Sequence, residues 1–514
     1  MKTSLKFLSI NRSLATFGLM IMFISCKPEL DLTNPNALNS SIFWSTAEEA
    51  ESGLIAVYAT LPTVHSFGRM GTGIMLIHRG DDVDPFELEA VNGPGTFAAG
   101  PTNPRMNEFW SEINKTVSTA NQVLARVPDI DMDATRKAQI LGEARFLRGF
   151  AHFYIFHTWG PHVPLHKEEI VNVEDLQLPA ASAEEFYASM EEDFRTAQNS
   201  GLPMKWDATN VGRTSQGAAT AMLGKVLLYQ KKWSEATAEF AKILDSEFTL
   251  NGVAYEDNFN EAGVNNAESV FEIQYDGNIN GGWGGSGGNV WRGQAWENDI
   301  APAAGGIYTS QASVDVNRWV LDLFMEQTTN AGLEDPRARA TMVWDYPGAM
   351  VYQDPFTLNF ASDDIVVRKY LNFEHTRADD GGWPASLANW RVIRYADVLL
   401  MYAEAMNEAN GGSPEAISRL NEVRQRVDMP NYGPMDQTSL RQAIRDERVR
   451  ELSIEGHRWF DLLRWEIADE IFTNFPERRA NSVTAFVPGK HEYLPVPQVD
   501  VDNNPNLDQN PAYQ

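Results

Sequence analysis

"VLLMYAEAMNEANGGSPEAISRLNEVRQRV", Val398 to Val427, reads as a helix, a tight turn and a second helix. Gly411-Gly412 breaks the first helix, because glycine takes the left-handed backbone that ends helices. Pro414 then sits where a helix can begin without a missing hydrogen bond. Three stretches upstream carry the same helical signal. "STAEEAESGLIAVYATL" (45–61) pairs Ser45/Thr46 with Glu48/Glu49 as a capping box would. "MNEFWSEINKTVSTANQVLARV" (106–127) repeats apolar residues at Phe109/Trp110, Ile113, Val117, Ala120 and Val123/Leu124, a helical period. "ATRKAQILGEARFLRGFAHFYIFHTWG" (134–160) is a longer helix that stops at Gly160-Pro161.

"AATAMLGKVLLYQKKWSEATAEFAKIL" (218–244) is a second helix pair. Leu223-Gly224, Tyr229, Ala236 and Phe240 fall where a tetratricopeptide pair puts its small and large packing residues. The pairs do not recur at a strict period. The expected fold class is therefore mainly α: a tetratricopeptide-like helical-pair scaffold with a large irregular insertion carrying short strands and loops. The insertion spans about 248–390. It holds one expected strand, "SVFEIQY" (269–275), followed by the glycine-rich "DGNINGGWGGSGGNVWRGQAWEND" (276–299), which has neither a helical nor an alternating period. The expected division is 1–25, 26–46, a helical region 47–247, the insertion 248–390, and a helical region 391–514, with 248–514 also readable as one domain.

The 514 residues carry 42 basic and 70 acidic side chains, a net charge of −28. That sign excludes a nucleic-acid partner and disfavours a basic-patch attachment to anionic lipid. One cysteine occurs, Cys26. Ahead of it Lys2, Lys6 and Arg12 precede an apolar run from Leu14 to Ser25, shorter than the ~20 residues a membrane-spanning helix needs. Residues 1–25 are therefore expected to be a signal peptide. Ser25-Cys26 resembles a lipoprotein cleavage site, which implies that the Cys26 thiol carries lipid such as palmitate; the alternative is an ordinary secretory signal followed by a chance cysteine. Residues 26–46 are then a polar tether.

Four stretches together resemble the SusD/RagB lipoproteins, which capture glycans at the outer membrane of Bacteroidota-type bacteria. They are "GEARFLRGFAHFYIFHTWGPHVPL" (142–165), "IRYADVLLMYAEAMNEA" (393–409), "IRDERVRELSIEGHRWFDLLRW" (444–465) and "YLPVPQVDVDNNPNLDQNPAY" (493–513). Ala512 stands where that family usually has glycine. The resemblance implies a helical scaffold supporting an irregular ligand-binding half, an oligosaccharide ligand, no catalysis, and a TonB-dependent transporter barrel as partner. It also implies a lipid-anchored place in the outer membrane, facing outward, since Lys27, Glu29 and Asp31 follow the cysteine.

The block 444–465 is the densest in charge. Read as one helix, it stacks Glu447, Glu451 and Glu455 on one stripe, with Arg450 and Arg458 three residues beyond the first and last. Three aligned carboxylates repel unless partnered, so this stripe is expected to be an ion-paired network. Arg394, Asp397 and Glu404 are read the same way. His152, His157, His162 and His166 lack zinc-helix spacing, and Asp82 and Asp84 lack the rest of a calcium loop. No cofactor, metal or catalytic residue is expected.

Sugars present flat C–H faces to aromatic rings and hydroxyls to polar neighbours. The expected glycan contacts are accordingly Trp283, Trp291 and Trp296 with Asn289 and Arg292. Arg79, Asp81, Phe97 and Asn103 form a second candidate set, and Trp344, Tyr346, Trp383 and Trp390 a third. Two other functions compete: a lipid-anchored glycoside hydrolase using paired carboxylates, and a tetratricopeptide-type scaffold for protein partners.

Overall fold

The computed structural model describes residues 43–85, 93–275, 300–302, 314–371, 373, 387–474 and 486–514. The chain divides into two units, 1–45 and 46–514, and the second carries the fold. Helix α1 (Ala47–Tyr58) opens on the expected capping box. The Thr46 hydroxyl accepts from the Glu49 N–H at 3.2 Å, and the Glu49 carboxylate accepts from the Thr46 N–H at 3.0 Å. Helices α2 (Pro104–Arg126), α3 (Ala134–Trp159), α4 (Ala183–Gln198), α5 (Gln216–Tyr229) and α6 (Trp233–Ala241) follow, each packed on the next. Gly224 is the close-approach point of the last pair, since a Cβ there would meet the Phe240 ring at 2.6 Å.

After α6 the chain leaves this array for the insertion. It then returns with α9 (Tyr395–Asn410), which packs directly on α6. Helix α10 (Pro414–Gln425) and helix α11 (Gln437–Leu452) pack on α9 in turn. The scaffold is thus continuous in space although interrupted in sequence. Among the described residues no helix is long and apolar enough to cross a membrane.

The insertion is closed at its base by an antiparallel pair, β2 (Ser269–Ile273) and β8 (Trp390–Arg394), with Ser269 opposite Arg394 and Ile273 opposite Trp390. Strand β2 is the expected one. A four-stranded sheet of order β1-β3-β7-β4 joins Val83–Pro85, Val314–Val316, Val366–Val367 and Met342–Val343. Strands β5 (Met350–Val351) and β6 (Asp354–Pro355) form a small hairpin. Two- and three-residue strands are too short to write an alternating pattern, so the sequence does not announce them. Helices α7 (Arg318–Met325) and α8 (Pro336–Thr341) complete this half.

The block 444–465 is not one helix. Helix α11 stops at Leu452, Ile454 takes φ +64° and Gly456 φ +72°, and α12 (Arg458–Arg464) starts afresh. A β-branched residue at positive φ is strained. The break is held by Asp82, whose Oδ2 accepts the Ile454 N–H at 3.0 Å.

Candidate functional site

The break after α11 does not undo the ion-paired network; it changes who pairs with whom. Glu447, Glu451 and Glu455 all lie inside the protein, and their main partners come from far along the chain. Arg394, at the junction of β8 and α9, donates to Glu268 at 2.7 Å, to both Glu455 oxygens at 2.8 Å, and to Glu451. Arg337 reaches Asp335 and Glu447 at 2.7 Å and Glu451 at 2.9 Å. Arg424 holds Glu447 at 2.7 Å, Arg426 holds Glu268 at 2.7 Å as well as Glu451, and Lys369 holds Glu455 at 2.7 Å. Arg337, Lys369, Arg394, Arg424 and Arg426 thus balance Asp335, Glu268, Glu447, Glu451 and Glu455. Burial works against ionising Glu451, but Arg426, Arg394 and Arg337 hold its carboxyl well below the ordinary range. The expected near-neighbour pairing is marginal for Arg450, 3.9 Å from Glu447, while Arg458 turns to Asp81 instead of Glu455. The cluster ties the insertion, through Glu268, Arg337 and Lys369, to α9, α10 and α11.

Arg448 bridges Asp397 and Asp461 at 2.8 Å each, and Glu404 takes the Arg464 guanidinium and the Trp465 N–H. His152 and His157 are packed inside, and burial pushes both down to about 3. Among the described residues no group of His, Cys, Asp and Glu is placed to hold a metal ion.

The second candidate set needs correction. Arg79 is buried with its guanidinium carbon 4.1 Å from the Trp459 ring centre, donating to the backbone oxygen of His491 at 3.2 Å. Burial pushes it down to about 9. Asp81 is buried and held by two bonds from Arg458, at 2.6 and 3.0 Å, while its carbonyl accepts from Asn317 and Trp319. Phe97 stacks on His491 at 5.4 Å and meets Phe472 and Phe486 edge-on at 5.1 Å. These three side chains fasten the N-terminal loop to the 458–491 region and offer a ligand no surface. Loop residues that look free in sequence were claimed by distant partners, a pairing that no local pattern announces. Asn103 is half-exposed and caps α2, accepting from the Met106 N–H at 3.0 Å.

Trp283, Asn289, Trp291, Arg292 and Trp296 lie outside the described residues, as do Trp383 and Cys26. Trp390 is buried, stacked on Tyr370. Trp344 and Tyr346 are half-exposed, in edge contact at 4.8 Å, with the Arg339 guanidinium over Tyr346 at 4.3 Å.

One cleft escaped the sequence reading. About 510 Å³ in volume, it is lined by Glu256, Phe259, Glu261, Arg368, Tyr370 and Phe373 among others. Its residues come from three places in the chain, 256–262, Ala340 and 368–373, with no shared motif, so only the fold brings them together.

Helix pairs stacked into a continuous scaffold, with an irregular half clamped on by buried ion pairs, define a helical-repeat protein carrying an inserted half. The chain belongs to the SusD/RagB family. The SusD family model matches residues 267–513, and a model described as "Starch-binding associating with outer membrane" matches 97–228. SusD-like protein P2 of Formosa agariphila is 25% identical over 527 residues, spanning 96% of this chain and 98% of the relative. A SusD superfamily protein from Bacteroides vulgatus superposes with a TM-score of 0.77 at 25% identity, covering 91% of this chain and 100% of that one. A laminarin-binding SusD-like protein gives a TM-score of 0.74, also at 25% identity and the same coverage.

Proposed function

We propose that this protein captures an oligosaccharide at the outer membrane, leaves it chemically unchanged, and passes it to a TonB-dependent transporter barrel. In this reading lipid on Cys26 holds the chain to the membrane, facing outward. The observation that carries the proposal is the pair of family matches, one of them described as starch-binding and outer-membrane-associated, together with a laminarin-binding relative aligned over 91% of this chain. The ion network supports the same reading. The densest carboxylate block is locked in charge-balanced bonds, and a carboxylate held well below its ordinary pKa is a poor proton donor for glycoside cleavage. The aromatic contacts proposed are Trp283, Trp291 and Trp296, with Asn289 and Arg292 beside them.

The test is calorimetry on a panel of neutral oligosaccharides, run beside an assay for reducing-end release. Binding without turnover supports the proposal, and turnover by the purified protein overturns it. A ring packed on a sugar contributes on the order of 1 to 2 kcal/mol, so Trp283→Ala, Trp291→Ala or Trp296→Ala should weaken binding roughly 5- to 30-fold. Wild-type affinity in all three would remove the tryptophans from the site. Cys26→Ala should release the protein from the membrane fraction, and equal retention of mutant and wild type would refute the lipid anchor.

A further inference from the structure

Lys369 and Arg368 are adjacent in sequence and opposite in fate. Lys369 is fully buried and spent on Glu455 and two backbone carbonyls. Arg368 is half-exposed and lines the 510 Å³ cleft. Among the described residues its guanidinium has no carboxylate within ion-pair distance and donates no hydrogen bond. Among the described residues its side-chain contact is the Phe373 ring, 5.0 Å away. A guanidinium laid over a ring keeps its N–H edge free to donate in a plane. Across the cleft Glu256 is exposed, while Glu261 accepts the Leu387 N–H at 2.9 Å.

The floor is rigid. Phe259 and Tyr370 meet edge-to-face at 5.0 Å, and Tyr370 stacks on Trp390 at 5.4 Å. Tyr370 has φ +69°, and Tyr352, whose ring lies 4.9 Å from Phe373, has φ +52°. Both are in the left-handed region that side chains rarely adopt, and such outliers concentrate at ligand sites. The volume falls in the ~300–1,000 Å³ range of small-molecule sites.

We propose that this cleft is itself a saccharide site, and that it takes a neutral oligosaccharide. Arg368 donates to ring hydroxyls, Glu256 accepts from them, and the Arg368–Phe373 stack supplies the flat surface on which a sugar face rests. Neutrality follows from charge: Glu256 and Glu261 outnumber Arg368 in the lining, and the whole chain carries −28, so a polyanionic sugar is repelled. The proposal rests on the reading of this protein as a glycan binder.

The test uses the whole mature chain with laminarihexaose, maltohexaose, cellohexaose and xylohexaose, and with trigalacturonate as the acidic arm. Calorimetry and saturation-transfer NMR are read for wild type, Arg368→Ala, Glu256→Gln and Trp291→Ala. Arg368→Ala and Glu256→Gln should each weaken at least one neutral hexasaccharide roughly tenfold. Melting temperature should not move, since among the described residues neither side chain carries an ion pair. Both variants binding every hexasaccharide like wild type, while Trp291→Ala loses binding, would overturn the cleft and leave the glycan-binding reading standing. Wild type binding none of the sugars would overturn both. Trigalacturonate bound by wild type and lost in Arg368→Ala would overturn the commitment to a neutral ligand.

Discussion

Replacing Arg394 with methionine should nearly unfold the protein, and neutralising one of its carboxylate partners should rescue part of the loss. Arg394 is completely buried and bonds to Glu268, Glu451 and Glu455. Methionine fills similar space and removes the charge. Glu451 keeps Arg337 and Arg426, Glu268 keeps Arg426, but among the described cationic side chains Glu455 keeps Lys369 alone. The interior is left with one excess negative charge. Breaking a buried pair costs about 3 to 5 kcal/mol, because the surviving charge stays out of water without compensation. That is a large share of the ~5–15 kcal/mol that holds a typical fold together. Adding Glu455→Gln restores the charge balance, so the double variant should recover at least about 1.5 kcal/mol relative to the sum of the singles. Urea unfolding followed by circular dichroism measures each corner of the cycle. Arg394→Met costing under about 1 kcal/mol, or strict additivity of the two changes, would refute the view that this cluster works as a charge-balanced clasp.

Three further outcomes follow from neighbouring residues. Burial, and then the charge of Asp81, raises Asp82 from 3.8 to about 6. The native state therefore holds this proton more tightly than the unfolded chain, so the contribution is full below pH 4 and lost as pH rises through 6. Asp82→Asn keeps an acceptor for Ile454 and should stabilise the protein by up to about 3 kcal/mol at pH 8 and not at pH 3.5, read from urea midpoints at the two pH values. Arg458→Ala leaves the buried Asp81 carboxylate without its partner and should cost about 3 kcal/mol or more. Sugar affinity in the folded fraction should stay unchanged by calorimetry. Gly456→Ala forces a Cβ to 2.8 Å from the Leu76 side chain at φ +72° and should cost about 2 kcal/mol, measured by urea unfolding.

The helical scaffold was legible because its information is local. Capping at Thr46, the small Gly224 facing Phe240, and the Gly411-Gly412 turn each act within a few residues, and a 3.6-residue period repeats often enough to read. The charge network was legible in kind, since aligned carboxylates need partners, but not in pairing. Arg337 and Lys369 reach Glu447, Glu451 and Glu455 only because the insertion folds back onto α11, Arg394 reaches Glu451 and Glu455 from the junction of β8 and α9, and Ile454 and Gly456 break a helix that the spacing of its charges seemed to continue. Arg79, Asp81 and Phe97 had the look of loop residues available to a ligand; the tertiary structure put them inside, against Trp459, Arg458 and His491. The reverse happened at Arg368, unremarkable in sequence and open to a cleft in the fold. Helix propensity, turns and capping are set by neighbours along the chain, so one sequence determines them. Burial and pairing are set by residues tens to hundreds of positions away, and only the assembled structure decides which polar side chain is consumed and which is left for a ligand.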